Sequence, residues 1–520
     1  MNVLQLGAQN WADKYKIPNE ITWNYNTYPQ AGIKRFDLVI ITEGVQLEDN
    51  LWSKLQWQVP PYCVLYSPFA ERDLNEAGLN FIKCQEARQI VEEPQELINQ
   101  LPIRFFQGQS GIRFAPTRLL LNDPVGTFVD GGHLTLKIEA DEWTNLGSYQ
   151  QNVYIDPQRL LKFSLEYSQK SNIKVRLRVF VSPNGGDGNS KDQYLLDFSR
   201  NNEEQELPIG LEDAPRFASV SVEVLGKGKL TLGTLHARWS RRDYGEFLAG
   251  GKRLIAPVNG EDIPYYFNPG DLRPPLHVYF SGARGLEGFE AYPLFRRNHT
   301  PALLFTDPRL AMGQFYTGEA IESQIKDTII VTLKKLGFDR QQLVLNGISM
   351  GTYPAIKLGA QLSPYAINVA KPTVNLGQVA LRARLERPDE FDTIFDIDRQ
   401  LVASLTSEQL EQLDMDFWNL MNQNDLTKTR IYVGYMKNDD YDNLAMKKMQ
   451  ENSAIQSAQL FVSKGFPGRH NDNRAVVQWF VSRLTDINNA FGRGEEKCSS
   501  LLIKDIGNRQ MPILRVQILK

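Results

Sequence analysis

The sequence predicts a multidomain α/β protein, in which a small N-terminal α/β domain and an antiparallel β-sandwich precede a larger parallel-sheet domain. Three successive hydrophobic patterns along the 520 residues carry this expectation. Short continuous apolar runs come first, alternation with a period of two follows, and apolar runs separated by long amphipathic segments come last. The expected domains are 1–108, 109–250 and 251–495, with a C-terminal β tail over 496–520.

In the first domain MNVLQL, FDLVIIT and CVLYS read as buried parallel strands. NEAGLNFIKCQEARQIVEEPQELINQL reads as helical pieces broken near Pro94, giving a Rossmann-like texture. LQLGAQNWAD holds one glycine only, so the G-x-G-x-x-G fingerprint of a dinucleotide site is missing.

In the second domain LKFSLEYSQ puts Leu161, Phe163, Leu165 and Tyr167 on one face. IKVRLRVFV does the same with Ile173, Val175, Leu177, Val179 and Val181, opposed by Lys174, Arg176 and Arg178. SVSVEVLGKGKLTLGTLHARW continues the alternation through an expected Gly-Lys-Gly turn. Such strands argue for an antiparallel sandwich. The run SPNGGDGNS joins two of them and reads as a hairpin loop, because a phosphate cradle needs a helix to follow. A sandwich of this texture suits carbohydrate binding.

In the third domain LHVYFSG, ALLFT, QLVLNG, YAINVA, TRIYVGYM and AQLFVSK are strand candidates. Between the second and third, Ile321, Ile325, Ile329, Leu333 and Leu336 form a helical stripe that Gly337 stops. Strand–helix alternation implies a parallel sheet with helices on both faces.

Composition narrows the partners. The chain is 42% hydrophobic and 23% charged, which suits packed cores rather than disorder. A formal charge of -3 gives no electrostatic footprint for nucleic acid. Three cysteines, Cys63, Cys84 and Cys498, argue against a disulfide framework and suit a reducing compartment. Gln5, Gln9, Asn10 and Asp13 interrupt the apolar core a signal peptide needs, and no run reaches the ~18 apolar residues of a bilayer span. The expected location is cytoplasmic, at most peripheral at the inner face of the membrane.

The local signal for chemistry is Gly347-Ile348-Ser349-Met350-Gly351. Alone, G-x-S-x-G arises by chance about 0.2 times in a chain this long. Here an apolar strand ends just before it and TYPAIKLGAQL can form a helix just after it, although Pro354 restricts the first turn. Strand, tight turn and helix make the nucleophile elbow of an α/β-hydrolase. A serine needs a base. Among His133, His236, His277, His299 and His470, only His470 follows Ser349, in the loop after the last sheet strand where that fold puts its base. The acid belongs after TRIYVGYM, at Asp439 or alternatively Asp440, with Asp439 preferred because Tyr441 then falls two residues on. For the oxyanion hole the candidates are the N–H of Met350 and, in the loop after the first strand of this domain (HVYFSGARGLEG), those of Gly282, Ala283 or Arg284. These residues imply acyl transfer or ester hydrolysis, with no metal or organic cofactor expected.

Together, NVLQLGAQNW, HVYFSGARGLEGFEAYPLF, NGISMGTYPAIKLGAQLSPYAINVAKPTVNLG, GYMKNDDYD and GFPGRH resemble the second accessory secretory protein of the Asp group, from the accessory Sec system of Gram-positive bacteria. The resemblance spans nearly the whole chain. It implies a cytoplasmic protein that supports export of serine-rich-repeat glycoprotein adhesins. It implies association with two other Asp-group proteins and the accessory SecA-type motor. It also implies O-acetylation of N-acetylglucosamine on the adhesin, from an acetyl donor of unknown identity, through Ser349, Asp439 or Asp440, and His470. A plain carbohydrate esterase and a catalytically idle scaffold of an export complex are the competing expectations.

Overall fold

A computed structural model describes residues 1–493, apart from 28–34, 124–125, 170–171, 184–191, 201, 311, 387–390, 392 and 473. The expected tail over 496–520 and most of the SPNGGDGNS loop lie outside the described residues. The chain forms two units: residues 1–271 with 284–288 and 308–312, and residues 272–283 and 289–307 with the chain from 313 onward.

The first unit begins with a five-stranded parallel sheet in the order Thr22–Tyr25, Asn2–Leu6, Leu38–Ile41, Val64–Tyr66, Arg88–Gln89. The three strands expected from apolar runs are the inner ones, buried on both faces. The two outer ones carry no apolar run, because an edge strand of a parallel sheet buries less of itself. Helices Asp49–Gln58, Glu76–Cys84 and Pro94–Arg104 pack on it. Pro94 opens the last of these instead of breaking a helix, since the first turn makes no use of its missing N–H.

Ten antiparallel strands follow, around one apolar core. Their axis is a single strand, Arg216–Trp239, which pairs on one edge with Lys174–Pro183 and then Leu161–Gln169. The expected Gly-Lys-Gly turn is therefore not a turn. It lies inside this strand, where the register against His133–Tyr149 shifts between Val224 and Gly226. Gly226 has φ 123°, and a Cβ there would lie 2.6 Å from the carbonyl oxygen of Asn172. Glycine marks a bulge here, not a reversal. The Leu161–Gln169 strand also departs from simple alternation, because Lys162, Ser164 and Glu166 are buried as well as the apolar set.

The second unit carries six parallel strands in the order Ala302–Phe305, Leu276–Phe280, Leu343–Ile348, Ala366–Ala370, Arg430–Met436, Leu460–Phe466. All six expected runs are present. Helix Glu319–Leu336 buries Ile321, Ile325, Ile329 and Leu333, and Gly337 caps it at φ 72°. Three helices, Leu376–Glu386, Thr393–Leu401 and Ser407–Asn422, are inserted between the fourth and fifth strands as ordered here. Asp414 accepts the N–H groups of Gly377 and Gln378 at the start of the first of these. Among the described residues no helix is long and apolar enough to cross a membrane.

Candidate active site

Strand Leu343–Ile348 ends in a single tight turn, Ser349–Gly351, that runs straight into helix Thr352–Leu362. Ser349 has φ 55°, a left-handed conformation that costs a non-glycine residue of order 1 kcal/mol or more. Both flanking glycines are needed. A Cβ on Gly347 would lie 2.1 Å from Gly351 O, and one on Gly351 would lie 2.1 Å from Phe280 O. The turn therefore closes against its own backbone and that of the neighbouring strand, which lifts the serine to the carboxyl end of the sheet. Thr352 Oγ1 braces the turn by donating to Ser349 O at 2.6 Å.

Ser349 Oγ is 2.9 Å from His470 Nε2. His470 Nδ1 lies 2.9 Å and 3.1 Å from the two carboxylate oxygens of Asp439. A carboxylate only accepts, so Nδ1 carries the proton and Nε2 is left to accept from the serine hydroxyl. Asp439 and His470 are both buried. Asp439 Oδ1 also accepts the N–H groups of Tyr441 and Asp442. Asp440 points elsewhere: it accepts the backbone N–H of His470 at 2.9 Å and pairs with Arg469. Of the two aspartates, only Asp439 meets the imidazole ring. The Tyr441 ring lies 4.4 Å from that ring, centroid to centroid.

The expected oxyanion donors divide. Met350 follows the serine and is buried. Gly282 lies at the mouth of the elbow, where a Cβ would sit 3.1 Å from Ile348 O, but its N–H is taken by Glu290 Oε1 at 3.2 Å. Ala283 is exposed and follows it directly. Arg284 belongs to the first unit.

Two further residues stand by this site, each inside a segment quoted for the family resemblance but not singled out within it. Glu290 is one. Lys371 is another: it follows Ala370, whose register partner is Ile348, so it stands at the same sheet edge as the serine. Burial holds its ammonium below the usual lysine range, with Asp439 and Asp472 pulling the other way. Apart from Glu290 and Lys371, the inserted helices carry a buried acid pair, Asp398 and Asp414. Asp398 is fully buried, neither of its carboxylate oxygens has a hydrogen-bond partner among the described residues, and burial, reinforced by Asp414, pushes its pKa to about 8. Asp414 is raised to about 7, chiefly by burial.

The other described histidines with a defined environment are structural. His277 is buried in the sheet against Asn346 and Asn488, and burial lowers it to about 4. His236, with Glu166 and Asp262, comes nearest to a metal-ligand set among the described residues. Its ring nitrogens are instead held by Glu287 at 2.6 Å and Glu166 at 3.0 Å, while both oxygens of Asp262 bind Arg238. A guanidinium already supplies the positive charge these carboxylates require. His133 is likewise held in place: burial opposes its charged form, but Asp130 and Glu261 outweigh it and raise the ring to about 10.

A family profile described as accessory Sec system GspB-transporter matches residues 1–493. This chain belongs to that family. An accessory Sec system protein of Staphylococcus aureus (strain NCTC 8325 / PS 47), the second of the Asp group, is 31% identical over 517 residues, covering 94% of this chain and 97% of that protein. The protein of the same name in Streptococcus gordonii is 30% identical over 500 residues, covering 93% and 96%. A solved chain of the Glycosylation Associate Protein (Gap123) complex from Streptococcus agalactiae matches with a TM-score of 0.84 and 31% identity, covering 95% of this chain and 99% of that one.

Proposed function

We propose that this protein is an accessory Sec component that supports export of serine-rich-repeat glycoprotein adhesins and O-acetylates N-acetylglucosamine on them. Its second unit is read as an α/β-hydrolase-type acyltransferase. One observation carries the chemistry: Ser349, at φ 55° between two obligatory glycines, shares a continuous hydrogen-bond line with His470 and Asp439. In the first half-reaction the Ser349 hydroxyl gives its proton to His470 Nε2 as Oγ attacks the acetyl carbonyl. His470 then passes that proton to the departing group of the donor, and an acetyl-serine remains. In the second half-reaction a sugar hydroxyl loses its proton to His470 and attacks the acetyl-serine. The serine recovers its proton as the acetylated sugar leaves. Asp439 holds the imidazole in the required tautomer and stabilises its charged form throughout.

The export role rests on family membership and on the Gap123 relative, which is a chain of a complex. It includes association with two other Asp-group proteins and the accessory SecA-type motor. The test is Ser349→Ala in the purified protein and in cells. Hydrolysis of an aryl acetate should fall by several orders of magnitude with the melting temperature unchanged. Mass spectrometry of the exported adhesin should find its acetyl groups missing while export continues. Equal aryl-acetate hydrolysis by wild type and variant would move the nucleophile elsewhere. Loss of export together with acetylation would tie the two roles together instead of separating them.

A further inference from the structure

A loop that stabilises an oxyanion must present a backbone N–H at a fixed position, because a donor misplaced by 1 Å forfeits much of its effect. Two side chains fix the start of the loop after strand Leu276–Phe280. Glu290 Oε1 accepts from Gly282 N–H at 3.2 Å and from Tyr279 O–H at 2.9 Å. Tyr316 O–H lies 3.1 Å from Ser281 O and 3.2 Å from Phe305 O, tying the loop to the adjacent strand. Both tyrosines are themselves fixed. Tyr279 and Tyr316 are buried, and the Tyr279 ring packs against Phe295 and Phe480.

This arrangement has a chemical consequence at Gly282. Its N–H already points at a carboxylate. A substrate oxyanion could take that N–H only by displacing Glu290, and the two negative charges would repel each other. Once the peptide leading into Gly282 is held in this direction, the next N–H along the chain is that of Ala283. Among the described residues the Ala283 N–H has no hydrogen-bond acceptor. On the acyl-transfer reading above, we infer that Glu290 is a positioning residue that pins Gly282, so that the N–H groups of Ala283 and Met350 form the oxyanion hole. Glu290 does not touch the reacting atoms. It acts through the backbone, from a position eight residues beyond the glycine it holds.

The test uses the purified full chain with p-nitrophenyl acetate as substrate. Phenylboronic acid serves as a mimic of the tetrahedral adduct, because its adduct with a serine carries an oxygen where the oxyanion forms. Glu290→Ala should lower kcat about 10- to 100-fold with KM nearly unchanged, and should weaken boronate inhibition by a similar factor. Glu290→Gln keeps a carbonyl oxygen able to accept both donors and should restore most of the rate. A purely structural role would not give matching losses in kcat and boronate affinity at an unchanged KM. Tyr279→Phe removes one donor to Oε1 and should cost a smaller, several-fold loss in kcat. It decides the matter if Glu290→Ala does not fold. Wild-type kcat and boronate binding in Glu290→Ala, no recovery in Glu290→Gln, or an unchanged rate in Tyr279→Phe would each overturn the inference. Wild-type protein without Ser349-dependent turnover would overturn the acyl-transfer reading itself, and this inference with it.

Discussion

Asparagine at 439 and asparagine at 440 should have very different effects, and the hydrogen bonds say why. Asp439 Oδ1 accepts the N–H groups of Tyr441 and Asp442 at 2.9 Å and 3.2 Å, leaving Oδ2 against His470 Nδ1 at 2.9 Å. An asparagine at 439 keeps its carbonyl oxygen on the two backbone donors, which turns its NH2 toward Nδ1. An amide NH2 donates, so Nδ1 must become an acceptor and the ring proton moves to Nε2. Nε2 then has no lone pair for the Ser349 hydroxyl. The stable tautomer is the unreactive one, and a loss of about 10⁴ in kcat is expected, equivalent to about 5 kcal/mol of transition-state stabilisation. Asp440 holds the backbone N–H of His470 and pairs with Arg469, whose side chain is 55% exposed. An asparagine there can still accept the backbone N–H. The lost pairing with an exposed arginine contributes only ~0–1 kcal/mol. Asp440→Asn should therefore cost less than about 10-fold in rate. Initial rates of p-nitrophenyl acetate hydrolysis, read against Ser349→Ala as the baseline, separate the two. Equal losses, or a larger loss at 440, would refute the tautomer argument.

Two further outcomes concern the frame around the site. Gly351→Ala places a methyl 2.1 Å from Phe280 O, where only backbone movement can relieve it, so Ser349-dependent hydrolysis should be lost and stability should fall by about 1–3 kcal/mol or more; an active variant with a wild-type melting temperature would contradict the close approach. Asp398 favours its protonated form in the folded state, with a pKa raised from 3.8 to about 8. Its contribution is whole below pH 3.8 and drains away as pH rises toward 8, at about 1.4 kcal/mol per unit at most. Asp398→Asn, which does not titrate, should therefore gain on wild type between about pH 5 and pH 8 in urea unfolding, and a gap independent of pH would remove the titration from Asp398.

Much of the second unit was legible because its strands are buried on both faces, which writes them as continuous apolar runs such as Leu343-Val344-Leu345. The chain order of Ser349, Asp439 and His470 also survives in one dimension. The choice between Asp439 and Asp440 does not, because adjacent residues of a turn point in different directions according to backbone angles that composition does not encode. Glu290 was invisible for a related reason: its role is to accept from a backbone N–H, and a backbone N–H has no residue type. In the first unit, His236 and Arg238 alternate along a strand as solvent-facing residues do, yet both are buried. Their partners Glu287 and Asp262 come from distant segments, so the alternation alone reads as a wet face. The Gly-Lys-Gly run misleads in the same way, since glycine suits a bulge and a reversal equally well.

The line from Ser349 through His470 to Asp439 is drawn from the ends of three different strands, and the base is the last of the three to be made. A ribosome working along this message finishes the nucleophile first, then the three inserted helices, then the acid, and only afterwards the histidine. A growing chain that ends before residue 470 thus holds a serine that nothing deprotonates, on a sheet still missing the helix Ala475–Ala490. The hydrogen-bond line can therefore close only late in synthesis, once the last strand of the sheet, Leu460–Phe466, has been made. On the proposed function, acetyl transfer would therefore require a chain finished past residue 470.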